Sequence, residues 1–338
     1  MDFEYEPYGD YTAYNETNET FTASPMTFSY PKSFLMETLV TINIIICLVG
    51  LIGNGIVIWI SGYKMKKTVN TTWHLSLAIS DFLFCACLPF NIFYTATLHW
   101  PFGLAMCKLA SSALFLNMFS SVFLLVLISV DRCVIIVFPI WSQNHRTVGK
   151  AVVAVVLMWV LSAALTVPSL VHRQIKTVGT ATECHTDYGL SHSTVAVTRF
   201  VCGFLIPFLV ILCCCSILFV KLRSLTLKSK KPFKVIAGLV LAFFVCWVPF
   251  HSFVLLELHL EIVTVEAIQT GLKLGGTLAS ANSFLNPILY VFIGNDFRRT
   301  LKRSVFWRIE NAMAEDARTD ARNPSKSMES LGKSIPFV

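Results

Sequence analysis

The sequence predicts an all-α membrane protein: a seven-transmembrane helix bundle followed by a short amphipathic cytoplasmic helix. Three observations carry that prediction. Of the 338 residues, 55% are hydrophobic and only 14% are charged, against about 25% charged in ordinary soluble domains. Seven apolar runs are each long enough to cross a bilayer as a helix. The connections between the runs alternate in Lys and Arg content, the signature of a fixed membrane topology.

The runs cover residues 34–61, 69–97, 104–137, 150–171, 197–221, 234–258 and 265–293. They are apolar all round, whereas the helices of a soluble bundle keep one wet face. The first, third and fifth connections hold Lys64, Lys66 and Lys67, then Arg146 and Lys150, then Lys221, Arg223, Lys228, Lys230, Lys231 and Lys234. Arg298, Arg299, Lys302 and Arg303 follow the seventh run, while the opposite side holds few, among them Arg173, Lys176, Arg199 and Lys273. The N-terminus is therefore expected outside and the C-terminus in the cytoplasm of a multi-pass plasma-membrane protein. The net charge of +7 reads as topology, not as a nucleic-acid surface.

Four regions follow: a disordered acidic extracellular segment (1–33), the transmembrane domain (34–293), the amphipathic helix (294–309) and a disordered cytoplasmic tail (310–338). No cleavable leader is expected, because the first thirty residues are acidic and polar. Asn15 and Asn18 each head a glycosylation sequon on the outer segment. Apart from Cys107 and Cys184, the cysteines all lie in apolar runs and read as small buried hydrophobes. Cys107 and Cys184 fall at the oxidising outer side, so a disulfide is expected between them.

Polar residues inside the runs are few, and an ionisable one marks function by default. Asp81 lies mid-run in the second helix. Asn117 and Ser121 are four apart on the third, and Asn282 and Asn286 four apart on the seventh, so each pair shares a face. Together they read either as a hydrogen-bonded structural cluster or as a site for a hard cation, which takes oxygen ligands. Pro89, Pro168, Pro207, Pro249 and Pro287 each interrupt an apolar run, where proline kinks a helix. Asp131 and Arg132 sit side by side in the otherwise apolar "LISVDRCVIIVFPIW". No Ser/His/Asp or metal-ligand spacing occurs in the runs, so no enzyme is expected. No inverted repeat points to a transporter.

These motifs, in order, resemble the class A (rhodopsin-like) G-protein-coupled receptors over essentially the whole chain. The carriers are "GNGIV" (53–57), "LAISD" (77–81), Asp131-Arg132-Cys133, Trp159, "FFVCWVPF" (243–250) and "NPILY" (286–290). "NMFSSVFLL", "PIWSQNHRTV", "TRFVCGFLIPF", "KKPFKVI" and "LNPILYVFIGNDFRR" narrow the resemblance to the chemoattractant branch, the receptors for chemerin, formyl peptides and complement anaphylatoxins. "KMKKTVN" and "LLELH" lean toward the chemerin receptors.

The resemblance implies that Asp131 holds Arg132 as an ion pair in the inactive state, and that Arg132 swings free on activation. It implies that Asp81, Asn117, Ser121, Asn282 and Asn286 bind a regulatory sodium ion, with no other cofactor. Trp247 with Pro249, and Asn286 and Pro287 with Tyr290, match the residues that move on activation. Arg173 and Arg199 match arginines that meet an acidic or carboxylate end of a peptide. Glu257 matches an acidic ligand-site position, and Phe90, Tyr94, Trp100 and Phe115 are expected to line apolar walls.

Several ligand classes fall away. Between Cys107 and Asp131 there is no carboxylate for an amine, and Ser280 stands where an opsin has lysine. Phe115 stands where formyl-peptide receptors carry aspartate. The acidic first twenty residues, with Tyr5, Tyr8, Tyr11 and Tyr14 interspersed, favour a basic peptide or small protein, chemerin-like. An anaphylatoxin or formyl-peptide type and a non-signalling scavenger are the alternatives. The implied partners are an inhibitory-class G protein, receptor kinases and arrestin, drawn to phosphates on Thr319, Ser325, Ser327, Ser330 and Ser334. The expected outcome is leukocyte chemotaxis and inflammatory signalling. One departure stands out: the loop 172–196 is shorter than in chemerin receptors.

Overall fold

The computed structural model describes residues 30–178, 181–224, 231–258, 264–293 and 299–301. Within them the chain crosses back and forth seven times. The crossings are α1 (Tyr30–Trp59, extended by a π turn Ile60–Lys64), α2 (Val69–Thr97), α3 (Gly103–Val137) and α5 (Val148–Val171). The fifth crossing is composite: α6 (His192–Phe200), a π turn (Val201–Leu205) and α7 (Ile206–Ser224). The last two are α8 (Lys231–Leu256) and α9 (Val265–Ile293). A short helix, α4 (Pro139–His145), joins α3 to α5.

Six crossings are long and apolar enough to span a membrane on length and composition alone. The seventh, α9, carries Glu266, Lys273, Asn282, Ser283 and Asn286, and its Asn282, Ser283 and Asn286 are buried. Those three face into the bundle, whereas Glu266 and Lys273 are exposed.

Local chemistry sets the helix ends. Thr68 and Thr71 form a reciprocal capping box at the start of α2, and Thr147 caps α5. Inside the fifth crossing, the π turn ends two residues before Pro207, which has no N–H to complete the ladder. The predicted start of this crossing, at 197, falls five residues late. Its first turn holds His192, Ser193 and Thr194, too polar to register as part of an apolar run.

The 172–196 segment is not an open loop. Arg173–Val178 (β1) pairs antiparallel with Ala181–Thr186 (β2), with Arg173 opposite Thr186. Arg173 therefore opens a strand and does not end a helix. The expected disulfide is present: Cys107 on α3 is bonded to Cys184 on β2, which pins the hairpin across one end of the bundle. Trp100 lies beside it, fully buried, donating its indole N–H to the Gly103 carbonyl at 2.9 Å.

α3 is the axis of the bundle. Its Met118, Phe119, Val122 and Leu124 are fully buried and pack with Phe243 and Trp247 of α8 and Ile211 of α7. The α9 backbone approaches the α8 backbone closely at Gly275. A Cβ there would come within 2.8 Å of the Phe250 Cα and 2.9 Å of its backbone N. Both are backbone atoms and cannot rotate away. Gly275→Ala should therefore separate α8 from α9 and cost about 1–3 kcal/mol, the usual range for overpacking. Melting of the detergent-purified protein checks this; an unchanged midpoint would show that the two helices have room to spare.

Candidate functional site

Three polar groupings are stacked along the bundle. At the hairpin end lie two arginines, Arg199 buried and Arg173 half-buried. Arg199 on α6 is only 7% exposed and donates from Nη2 to Ser169 Oγ of α5 at 2.7 Å. Its guanidinium lies 3.6 Å over the Phe115 ring of α3 and 5.1 Å from the Tyr188 ring, cation–π geometry with electron-rich faces. Arg173 donates to Cys184 Sγ at 3.2 Å and to Thr186 Oγ1. Burial pushes the Arg173 guanidinium below its ordinary value; Tyr188 and Tyr94 oppose that, and the nearby positive charge of Arg199 adds to it. Among the described residues, no carboxylate lies within 4.0 Å of either guanidinium. A charge taken out of water without a counter-ion is costly, so this end is primed for an anion.

Glu257, at the end of α8, already has a partner: its Oε2 lies 3.7 Å from His192 Nε2 of α6. Burial raises the Glu257 carboxyl above its ordinary value, and His192 opposes that. Phe90 and Tyr94 meet Trp100 and Phe102 edge to face, at 5.0 Å for Phe90–Phe102 and 5.8 Å for Tyr94–Trp100. This cluster supports the disulfide. Trp100, 1% exposed, belongs to that packing and presents no open wall, contrary to expectation.

Mid-bundle, Asp81 is wholly buried. Its Oδ1 accepts from Asn117 Nδ2 at 2.8 Å and its Oδ2 from Asn286 Nδ2 at 2.6 Å, so α2, α3 and α9 meet on one carboxylate. Asn117 Nδ2 also reaches Ser80 Oγ at 3.1 Å and Ser121 Oγ at 3.5 Å, and Ser283 donates to Asn117 Oδ1 at 3.3 Å. Asn282, one turn before Asn286, is buried, and its Oδ1 has no hydrogen-bond partner. One carboxylate among hydroxyl and amide oxygens is a donor set that suits a hard monovalent cation.

Between these two levels sits an aromatic box. Trp247 is fully buried, with Phe243, Phe250 and His251 at 5.9, 5.8 and 6.1 Å between ring centroids. Neither ring nitrogen of His251 has a hydrogen-bond partner, nor does Trp247 Nε1 or Arg199 Nε.

At the opposite end, the expected Asp131–Arg132 pair is not the main one. Arg146, between α4 and α5, grips the Asp131 carboxylate with two bonds, Nε to Oδ1 at 2.6 Å and Nη2 to Oδ2 at 3.0 Å. Arg132 Nε stands 4.0 Å from Asp131 Oδ2. Its Nη2 donates to Asn70 Oδ1 at 2.5 Å, an acceptor that Arg146 Nη2 shares at 2.7 Å. The sequence offered the neighbour, whereas the fold brings up a residue fifteen positions away. A planar fork meeting a carboxylate edge-on forms two parallel bonds, and the residue adjacent along the same helix cannot present itself that way.

The profile of the "7 transmembrane receptor (rhodopsin family)" matches residues 53–290. The chain belongs to that family. It is 43% identical to chemerin-like receptor 1 of Rattus norvegicus, covering 93% of this chain and 91% of the relative. It is 45% identical to chemerin-like receptor 1 of Homo sapiens over 82% of this chain and 80% of that one. To the C3a anaphylatoxin chemotactic receptor of Oncorhynchus mykiss it is 38% identical, over 97% and 92%. It is thus a multi-pass membrane receptor of chemoattractant type and not an enzyme.

In this receptor the family motifs have visible work. Asn54 of "GNGIV" donates to the carbonyls of Gly50 and Ser283, both at 2.9 Å, tying α1 to α9. Trp159 donates to Ser76 Oγ at 2.9 Å, tying α5 to α2. Sequence reasoning missed Ser169, Tyr188, His251, Asn70 and Ser283. The first three and Asn70 join their groups only through tertiary contacts. Ser283, next to Asn282 in a buried polar run, was within reach of the sequence. The Tyr290 side chain, Asn15, Asn18, the five tail positions and most of 294–309 lie outside the described residues.

Proposed function

We propose that this receptor detects a chemerin-like peptide or small protein at its hairpin end, outside the cell, and signals through an inhibitory-class G protein and arrestin at its Asp131 end to drive chemotaxis. The observation that carries this reading is the buried Arg199 and half-buried Arg173, with no carboxylate in reach among the described residues. Arg199 and Arg173 would bind a ligand's terminal or side-chain carboxylate, with Phe115 and Tyr188 as aromatic walls. The names of the 43–45% identical relatives support chemerin as the ligand class; the C3a receptors support an anaphylatoxin as the second reading. The Lys and Arg content of the connections supports the orientation. Asn15 and Asn18 would carry glycans outside, and the tail serines and threonine would carry phosphates inside.

The direct test is G-protein activation in cells expressing the receptor, challenged with chemerin, C3a and formyl peptides. We expect a response to chemerin that pertussis toxin abolishes. A response that persists in the toxin overturns the inhibitory class, and uptake of ligand without any response favours the scavenger.

The carboxylate clamp predicts a distinct pattern. A peptide agonist is measured as free acid and as C-terminal amide, on wild type and on Arg199→Ala. Charge-assisted bonds are worth about 1.5–3 kcal/mol, so amidation should cost wild type roughly 10- to 150-fold in affinity and the variant little. Equal losses in both receptors would show that Arg199 does not read the carboxylate.

The Asp81 group is proposed as a sodium site that favours the inactive state. An ion bound better by one state must oppose an agonist that prefers the other. Raising sodium should then weaken agonist binding to wild type and leave Asp81→Asn unaffected. Full sodium sensitivity in the variant excludes the site.

A further inference from the structure

We propose that Arg146 is a positioning residue of the signalling switch: it competes with Arg132 for the Asp131 carboxylate and so keeps Arg132 available to the G protein. This rests on the reading above that Asp131 and Arg132 form the switch. The geometry supplies the rest. Both Asp131 oxygens are taken by the Arg146 fork, at 2.6 and 3.0 Å. Arg132 is left at 4.0 Å, beyond hydrogen-bonding distance, and its Nε has no partner. Among the described residues, its remaining hold is Asn70 Oδ1. A carbonyl oxygen has two lone pairs, and Arg146 Nη2 occupies the second. Arg146 thus sits on both of the acceptors that Arg132 uses or approaches.

The direction follows from what is left when Arg146 goes. The Asp131 side chain is only 10% exposed, so an unpaired carboxylate there is poorly hydrated and must find another cation. Arg132 is the nearest guanidinium and needs only a small rotation to close the gap. Asp131 would capture it and hold the switch shut. Arg146→Gln should therefore weaken signalling, and should do so only while residue 131 is a carboxylate. Asp131→Asn releases both arginines and should raise basal activity. Arg146 is not wholly buried, at 25% exposure, and solvent discounts the pair.

The test uses the full-length receptor in membranes with purified inhibitory-class G protein, normalised to surface-labelled receptor. Basal and chemerin-driven nucleotide exchange are measured for wild type, Arg146→Gln, Arg146→Lys, Asp131→Asn and the Asp131→Asn/Arg146→Gln double variant. Arg146→Gln should lower basal exchange about 3- to 10-fold, a partly screened ion pair's worth. Arg146→Lys keeps the charge and loses the fork, so it should fall between. In the Asp131→Asn background, Arg146→Gln should change nothing. Higher basal exchange in Arg146→Gln, or an equal drop in the Asp131→Asn background, overturns the proposal. Melting of the same five proteins in detergent, without ligand or G protein, reports the pair itself through non-additive losses. Coupled stability with unaltered signalling would reduce Arg146 to a structural residue. A wild type that drives no exchange on any G protein defeats the underlying switch reading, and the proposal with it, while the melting cycle still reports the ion pair.

Discussion

Everything in the middle of this bundle answers to one constraint. A carboxylate buried in a protein that lies in lipid must find all of its partners inside the protein. Asp81 is wholly buried, and its two oxygens draw an amide from α3 and an amide from α9. Those two bonds fix the depth and rotation of three helices relative to one another. Asn54 and Trp159 extend the same logic, spending side-chain donors on α9 and on α2. The apolar exteriors of the helices carry little such information, because lipid tails are as apolar as Leu and do not drive helices together. Polar bonds and small-residue approaches, such as Gly275 against the Phe250 backbone, set the packing instead.

The two ends of the bundle manage arginine in opposite ways. At the hairpin end, the buried Arg199 and half-buried Arg173 have hydroxyls, a sulfur and aromatic faces as neighbours, none of which cancels a full positive charge. That leaves favourable energy for an arriving anion. The hairpin, held by Cys107–Cys184, places Arg173 over the same space. At the Asp131 end, two arginines share one carboxylate and one amide oxygen. Two cations there compete for one anion, so a change of partner for one guanidinium alters what the other can bind.

Between the ends, Trp247 and His251 sit in a box of phenylalanine rings with unpartnered nitrogens. His251 also lies within electrostatic reach of Arg199. Phe115, which carries the Arg199 guanidinium on its face, meets Phe250 of α8 at 6.2 Å between ring centroids, so the hairpin end and α8 are joined through packed rings. No long relay is needed, since each step is a packed neighbour.

The sequence by itself determined how many times the chain crosses, which residues lie in each crossing, and which cysteines join. Those properties follow from local hydrophobicity, length and compartment, and each is carried by a contiguous stretch. It also singled out Asp81, Asn117, Asn286 and Arg199, because polar residues in apolar runs are few, while leaving the Asp81 group open between a structural cluster and a cation site. The fold alone decided who pairs with whom. Asp131 and Arg132 are adjacent in the chain, yet the carboxylate is held by Arg146, which approaches from the α4–α5 connection and can present its planar fork. Arg173 falls in a stretch that reads as a loop, yet it opens a strand, because Cys184 draws its partner strand across the bundle. Asn70, Ser169 and His251 carry no sequence signal at all; each gains its place from a neighbour on another helix. Pairing depends on distance and direction in space, and a one-dimensional pattern constrains neither once the partners lie on different helices.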